Sequence, residues 1–245
     1  MNILGIELGV ADSAIFDEKD VRIVPSCIAF SRLGMVKTGE MAVDDLRKER
    51  ARALKYGSVD KNVFDDFIGT LGSDAVHNCP NLGKRFLSED LLSLFMANLM
   101  VPQDESKSKS DDIVVLTFPV SFEAPQLSAL NNVVQAGHIE KPILLASPLA
   151  AAVACDLKDV KRPADWIVFD FNSAQIEVSV VHVDEGVAEI VDKSSNPDLG
   201  GNLMLRQLVC EIIVPYLAGN YELGTYLNDS DKYDILVNAM MYYAE

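Results

Sequence analysis

Over 245 residues the chain carries 37 acidic and 21 basic side chains, a net charge of −16, and almost half of its residues are hydrophobic. That is enough apolar chain for a sizeable core in one domain or two lobes. The acidity and the scattered lysines and arginines oppose a phosphate backbone, so nucleic acid is not an expected partner.

No apolar run approaches the roughly 20 residues of a membrane span. The first nine residues, MNILGIELG, lack the basic start and the apolar length of a secretory signal. A cytoplasmic protein with no membrane partner is expected. Cys27, Cys79, Cys155 and Cys210 form no CxxC pair and read as buried or semi-buried thiols of a reducing compartment. His77 and Cys79 make a lone H-x-C with no second pair to complete a metal site.

In chain order, NILGIELG, SAIFDE and VRIVPSCIAFS alternate as three strands joined by tight turns. Residues 39–57 are helix-compatible, with opposite charges paired along one face. Residues 88–100, SEDLLSLFMANLM, predict an amphipathic helix with Ser88 as N-cap. Residues 101–112 are polar and low in complexity, hence an exposed mobile linker.

The strand DIVVLTFPVSF follows, then a helix over 124–137, the strand KPILLASP and a small-residue helix PLAAAVACDL. After KDVKRPAD the opening pattern returns as three more strands, WIVFDF, IEVSVVHV and VAEIVDKSS. Helices over 203–217 and from Asp231 onward close the chain.

This is α/β with an internal repeat. Both strand triplets begin with a strand that ends in an acidic residue and a turn of mostly small residues: Glu7-Leu8-Gly9-Val10-Ala11-Asp12, and Asp170-Phe171-Asn172-Ser173-Ala174-Gln175. Two such hairpins facing one another could bind a polyphosphate through backbone N–H groups, with carboxylates holding a hydrated cation. A plainer reading also stands for each residue. Glu7 and Asp170 could be strand-end carboxylates, and Asp12 a turn residue bonding its own backbone. His138 and His182 read as surface or packed residues, and Lys84-Arg85 as a solvated pair.

The motifs resemble the heat-shock protein 70 family. Residues 7–13 are similar to its D-L-G-T-T-N-S phosphate loop, and PSCIAFSRLGMVKTGEMA to its P-S-x-V-A-F segment and the G-x-x-A after it. Residues 115–157 resemble the run from V-P-A-Y-F to E-P-T-A-A-A-L-A-Y-G. WIVFDFNSAQIEVSVV resembles the second phosphate loop, V-F-D-L-G-G-G-T-F-D-V-S, and LGGNLM the motif L-G-G-E-D-F.

The resemblance implies a ribonuclease H-like, actin-type ATPase fold in two lobes. The first lobe is 1–163, with a core of 1–37 and 111–163 and a subdomain inserted over about 38–110. A partial second lobe is 164–245. The implied cofactor is ATP or ADP with Mg²⁺, and the implied partners are other proteins of the chaperone type. Carried over residue by residue, the phosphate loops fall on Gly9, Asp12, Ser13, Asn172, Ser173, Gly200 and Gly201. The cation side falls on Glu7, Asp170 and Glu177.

The sequence also departs from the family. Asn172, Ser173 and Ala174 replace three glycines, and alanine is costly where the backbone needs positive φ. Val10 and Ala11 replace two threonines, Gln175 a third, and Ser147 the cation-shell glutamate. No lysine follows Val63-Phe64-Asp65, where the family carries its catalytic one. The adenosine-side motif V-G-G-S-T-R-I-P does not appear, so the resemblance places residue 245 midway through the second lobe.

Phosphoryl transfer relies on positioning and charge stabilisation, and one lost donor typically costs about 10²–10³ in rate. The expectation is a divergent chaperone-related nucleotide-binding domain with weak or absent ATP binding and no efficient hydrolysis. An active ATPase or small-molecule kinase of the same superfamily, and an interaction module keeping only the fold, are the alternatives.

Overall fold

The computed structural model describes residues 3–17, 20–57, 59–100, 113–137, 142–155 and 163–244. Strands β1 (Ile3–Glu7), β2 (Asp12–Phe16) and β3 (Val21–Pro25) form an antiparallel meander. The third predicted strand then breaks. Ser26 and Cys27 turn the chain, and β4 (Ile28–Phe30) leaves for a second small sheet with β5 (Val36–Thr38) and β6 (Val63–Phe64). Pro25 has no N–H to extend a ladder, so a strand end there is physically reasonable.

Helix α1 (Glu40–Tyr56) carries the i,i+3 pairs Asp44–Arg47 and Asp45–Lys48 and ends at Gly57. That glycine, at φ 84°, donates its N–H to the Ala53 carbonyl. The short hairpin β7 (Val76–Cys79) and β8 (Lys84–Leu87) leads into α2 (Ser88–Leu99). The N-cap of α2 is Leu87, not Ser88: the Leu87 N–H is satisfied by the Asp90 carboxylate at 2.9 Å. Ser88 is instead wholly buried as the first helical residue, bonded to His77 and Thr70.

Strand β9 (Ile113–Phe118) runs parallel to β1. After helix α3 (Ala124–Ala136), strand β10 (Ile143–Ala146) completes a five-stranded sheet of order β10-β9-β1-β2-β3. Residues 101–112, the predicted linker, and His138 lie outside the described residues. The main core sits between this sheet, the small sheets and α2 and α3, around Ile6, Phe64, Phe67, Phe95, Leu116 and Leu130. Cys155 is exposed, contrary to expectation, whereas Cys27 and Cys79 are buried; burial pushes the Cys27 thiol up to about 12.

Helix α4 (Ser147–Ala154) precedes the second meander: β11 (Ala164–Phe171), β12 (Ile176–Asp184) and β13 (Val187–Asn196). The two triplets lie in separate sheets, as the repeat implies. The second sheet is purely antiparallel among the described residues, whereas the first is mixed. The β12–β13 turn places Glu185 and Gly186 at φ 47° and 82°, the pattern of a tight hairpin that matches strand twist.

One face of the second sheet, with Val168, Val181, Val183, Ala188 and Ile190, packs on Leu149 and Ala152 of α4. The chain ends in α5 (Gly201–Leu208), a π-helical stretch (Val209–Ile213), α6 (Val214–Asn220), α7 (Gly224–Leu227) and α8 (Ser230–Ala244). The helix predicted over 203–217 is thus longer and contains a wide turn just before Pro215, where a proline cannot donate to the ladder.

Candidate functional site

The first hairpin, between β1 and β2, is built around the closest approach in the loop. A Cβ on Gly9 would stand 2.2 Å from the Asp12 carbonyl oxygen, so this position has no room for any side chain. Behind the turn, the Ser26 hydroxyl donates to the Gly9 carbonyl at 2.6 Å, and the Ser13 and Ser26 oxygens are 2.8 Å apart. The Ser26 proton is committed to Gly9, so Ser13 must be the donor to Ser26. Ser13 is therefore a buried brace for the loop, with its hydroxyl turned inward. Asp12 is exposed at the start of β2, and Val10 packs on the core.

The second hairpin is closed by its own atoms. Asn172 Oδ1 accepts the N–H of Ala174 and the N–H of Gln175, each at 2.9 Å. The Asn172 N–H donates to the Gln175 carbonyl at 3.0 Å. None of residues 172–175 adopts positive φ, so Ala174 carries no left-handed strain and the expected cost does not arise. The turn solves the loss of glycine with a side-chain acceptor.

The start of α5 docks on the back of this turn. The Gly201 and Asn202 N–H groups donate to the Asn172 and Ser173 carbonyls at 3.0 and 2.8 Å. A Cβ on Gly200 would lie 2.4 Å from the Ala174 carbonyl carbon, so the two backbones touch only because that residue is glycine. The structure thus brings Asn172, Ser173, Gly200 and Gly201 together, as a backbone-bonded unit.

The three candidate cation ligands occupy different settings. Asp170 faces Glu177 across the β11–β12 register. Desolvation first, then the Glu177 charge, raises the Asp170 carboxyl above its usual range. Desolvation and then the Asp170 charge likewise raise Glu7. Glu177 is 1% exposed and accepts the N–H groups of Val120 and Ser121 at 3.1 and 3.0 Å and Gln175 Nε2 at 2.7 Å. Its carboxylate ties β12 to the segment after β9. Among the described residues no group of three or more His, Cys, Asp or Glu is placed to hold a metal ion.

Other positions singled out by the sequence have local work. The Ser147 hydroxyl donates to the Phe118 carbonyl at 3.0 Å. In the segment after β6, Asp65 pairs with Arg50 at 2.9 Å, and Phe67, Ile68 and Leu71 are core. Lys84 and Arg85 are exposed on β8. His77, lowered by desolvation, sits 3.0 Å from the Ser88 hydroxyl. His182 is raised by its 2.7 Å bond to Asp165.

Sequence reasoning missed Val120, Ser121 and the Gln175 side chain. The link from Val120 to Glu177 spans 57 positions, and no local pattern announces a backbone amide as a carboxylate's partner. A polyphosphate with its cation would need the second hairpin's amides and the Glu177 carboxylate free. The Asn172, Ala174 and Gln175 amides are bonded within the turn and the Glu177 carboxylate already accepts three donors, so the residues as arranged fit that group poorly there.

Two strand meanders in separate sheets, with an acidic residue at the end of the first strand of one (Glu7) and next to the end in the other (Asp170), are consistent with an actin-like ATPase fold. The family model described as Hsp70 protein matches residues 3–230, and the chain belongs to the Hsp70 family. A similar curated protein is the stromal 70 kDa heat shock-related protein, chloroplastic, of Pisum sativum, 25% identical over an alignment of 245 positions that covers 90% of this chain. The chain spans about a third (34%) of that relative's length. The chain is thus a chaperone-related nucleotide-binding domain by family.

Proposed function

We propose that this domain binds ATP weakly or not at all, does not hydrolyse it efficiently, and acts as a regulatory or scaffolding module among protein partners of the chaperone type. Its first lobe is 1–163 and its second 164–245. The two separate sheets, with β11 starting at Ala164, support that division.

The observation that carries the functional reading is Glu177. The family resemblance puts it beside the cation, yet here it is buried and accepts hydrogen bonds from Val120, Ser121 and Gln175. A carboxylate with three internal donors has little capacity left for a cation's water shell. Ser147, standing for the cation-shell glutamate, spends its proton on Phe118, and no lysine follows Asp65 to face a transferred phosphate.

Calorimetric titration of the chain with ATP, with and without Mg²⁺, tests this. No binding in the micromolar range is expected. Micromolar affinity that is lost in Asp170→Ala would overturn the reading and establish a working nucleotide site.

A further inference from the structure

We propose that Asn172 is what closes the second hairpin to phosphate: its carboxamide oxygen is a built-in occupant of the two amides that would receive an anion. The inference rests on the family reading above and deepens it, because it names the group responsible.

Two successive backbone N–H groups converging on one oxygen form the concavity that binds phosphate and carboxylate oxygens elsewhere. Here the Ala174 and Gln175 amides converge on Asn172 Oδ1, both at 2.9 Å. The oxygen is covalently attached two and three residues away, so a free anion competes with a partner that never leaves. Replacing it demands breaking both bonds and rotating the carboxamide out.

The shape of the hairpin does not depend on that side chain alone. The Asn172 N–H bonds Gln175 across the turn, and the Asn172 and Ser173 carbonyls are held by Gly201 and Asn202. The Gly200 backbone lies directly against Ala174. Among the described residues the only non-glycine positive φ is at Glu185, so no residue of this turn needs glycine's freedom. Removing the carboxamide therefore leaves two amides aimed at the same point in a turn clamped from behind. Neither glycine nor alanine at 172 provides a substitute acceptor.

The test uses the whole chain and inorganic tripolyphosphate, a probe without a base or sugar. Asn172→Gly and Asn172→Ala are expected to bind it roughly tenfold or more tighter than the unmodified chain, since charged acceptors strengthen amide hydrogen bonds. Asn172→Asp keeps an acceptor oxygen in place, adds repulsion and stays closed. Equal affinity of Asn172→Ala and the unmodified chain, with the fold intact by circular dichroism, would overturn the proposal. So would Asn172→Asp binding as tightly as Asn172→Ala.

A measurement that needs no variant is amide hydrogen exchange. The Ala174 and Gln175 amides of the unmodified chain should be protected, and free exchange at both would refute their internal bonding. Failure of the broader reading has a different signature. Micromolar ATP binding by the unmodified chain overturns the proposal of weak or absent ATP binding, whereas the role of Asn172 is read from the ratio of variant to parent.

Discussion

Asp170 sits between two carboxylates, and its own ionisation works against the fold. Its pKa is raised by desolvation and then by Glu177, and it in turn helps to raise Glu7. A carboxyl raised in the folded state binds its proton more tightly there than in the unfolded chain. Stability from this group is therefore fully present below the ordinary aspartate value of 3.8 and is lost as pH rises through the raised folded value. Asp170→Asn fixes the neutral form. It should raise the melting temperature by about 1–3 °C at about pH 7, with the gain vanishing as pH falls below the ordinary range. Melting curves of both proteins across acidic to neutral pH check this. A gain that persists unchanged at low pH would mean that packing, not charge, is responsible.

Among the elements, one long-range tie between the chain's first half and its final helices runs through the end of α1. The Tyr226 hydroxyl donates to the Leu54 carbonyl at 2.7 Å, and Leu54 packs into the cluster of Val209, Val214, Leu236 and Val237. Carbonyls in the last turn of a helix lack an intrahelical partner, so this tyrosine satisfies a group that α1 cannot. Tyr226→Phe should cost about 1 kcal/mol and lower the melting temperature by roughly 2–4 °C. Exchange should rise first at the C-terminal end of α1. No shift, with α1 still protected, would show that water replaces the hydroxyl without loss.

The sequence made α1, α2, α3, β9 and the second meander legible, because each carries a long periodic signal or a buried apolar run. The β7–β8 hairpin was not legible. VHNC and KRFL are four residues each, too short to show a period, and the pairing depends on His77 and Cys79 facing the core. The split of β3 from β4 was hidden for a related reason: VRIVPSCIAF is mostly apolar on both sides of Pro25, and the turn is fixed by contacts distant in sequence, the Ser26 hydroxyl to the Gly9 carbonyl and the Ser26 N–H to the Ala11 carbonyl. In the site, the substitutions were visible by alignment of motifs, but their consequence was not. Ala174 looked costly at a position where the family has glycine, yet the turn has no positive φ and Asn172 serves it as an acceptor.

At the scale of the molecule, two unequal sheets carry one unequal distribution of apolar surface. In the first, β1 has β2 on one side and parallel β9 on the other. In the second, β11 pairs with β12 and, among the described residues, with no other strand. Its outward residues Ile167, Phe169 and Phe171 are exposed at 76%, 63% and 47%, beside the half-buried Ile176, Val178 and Val180 of β12. A contiguous apolar face on an edge strand without lysine or proline favours association. The net charge of −16 opposes it by long-range repulsion.

Salt decides between the two, because the Debye length falls from about 10 Å at 0.1 M to about 3 Å at 1 M while the apolar attraction is not screened. Sedimentation velocity should therefore show larger species as salt rises. The double variant Ile167→Lys, Phe169→Lys should stay monomeric at the same salt, since both side chains already face solvent and the change places cations on the edge. If the variant associates as strongly as the parent, the attraction lies elsewhere on the surface. If neither associates at high salt, this face is too small to overcome the entropy of joining two molecules.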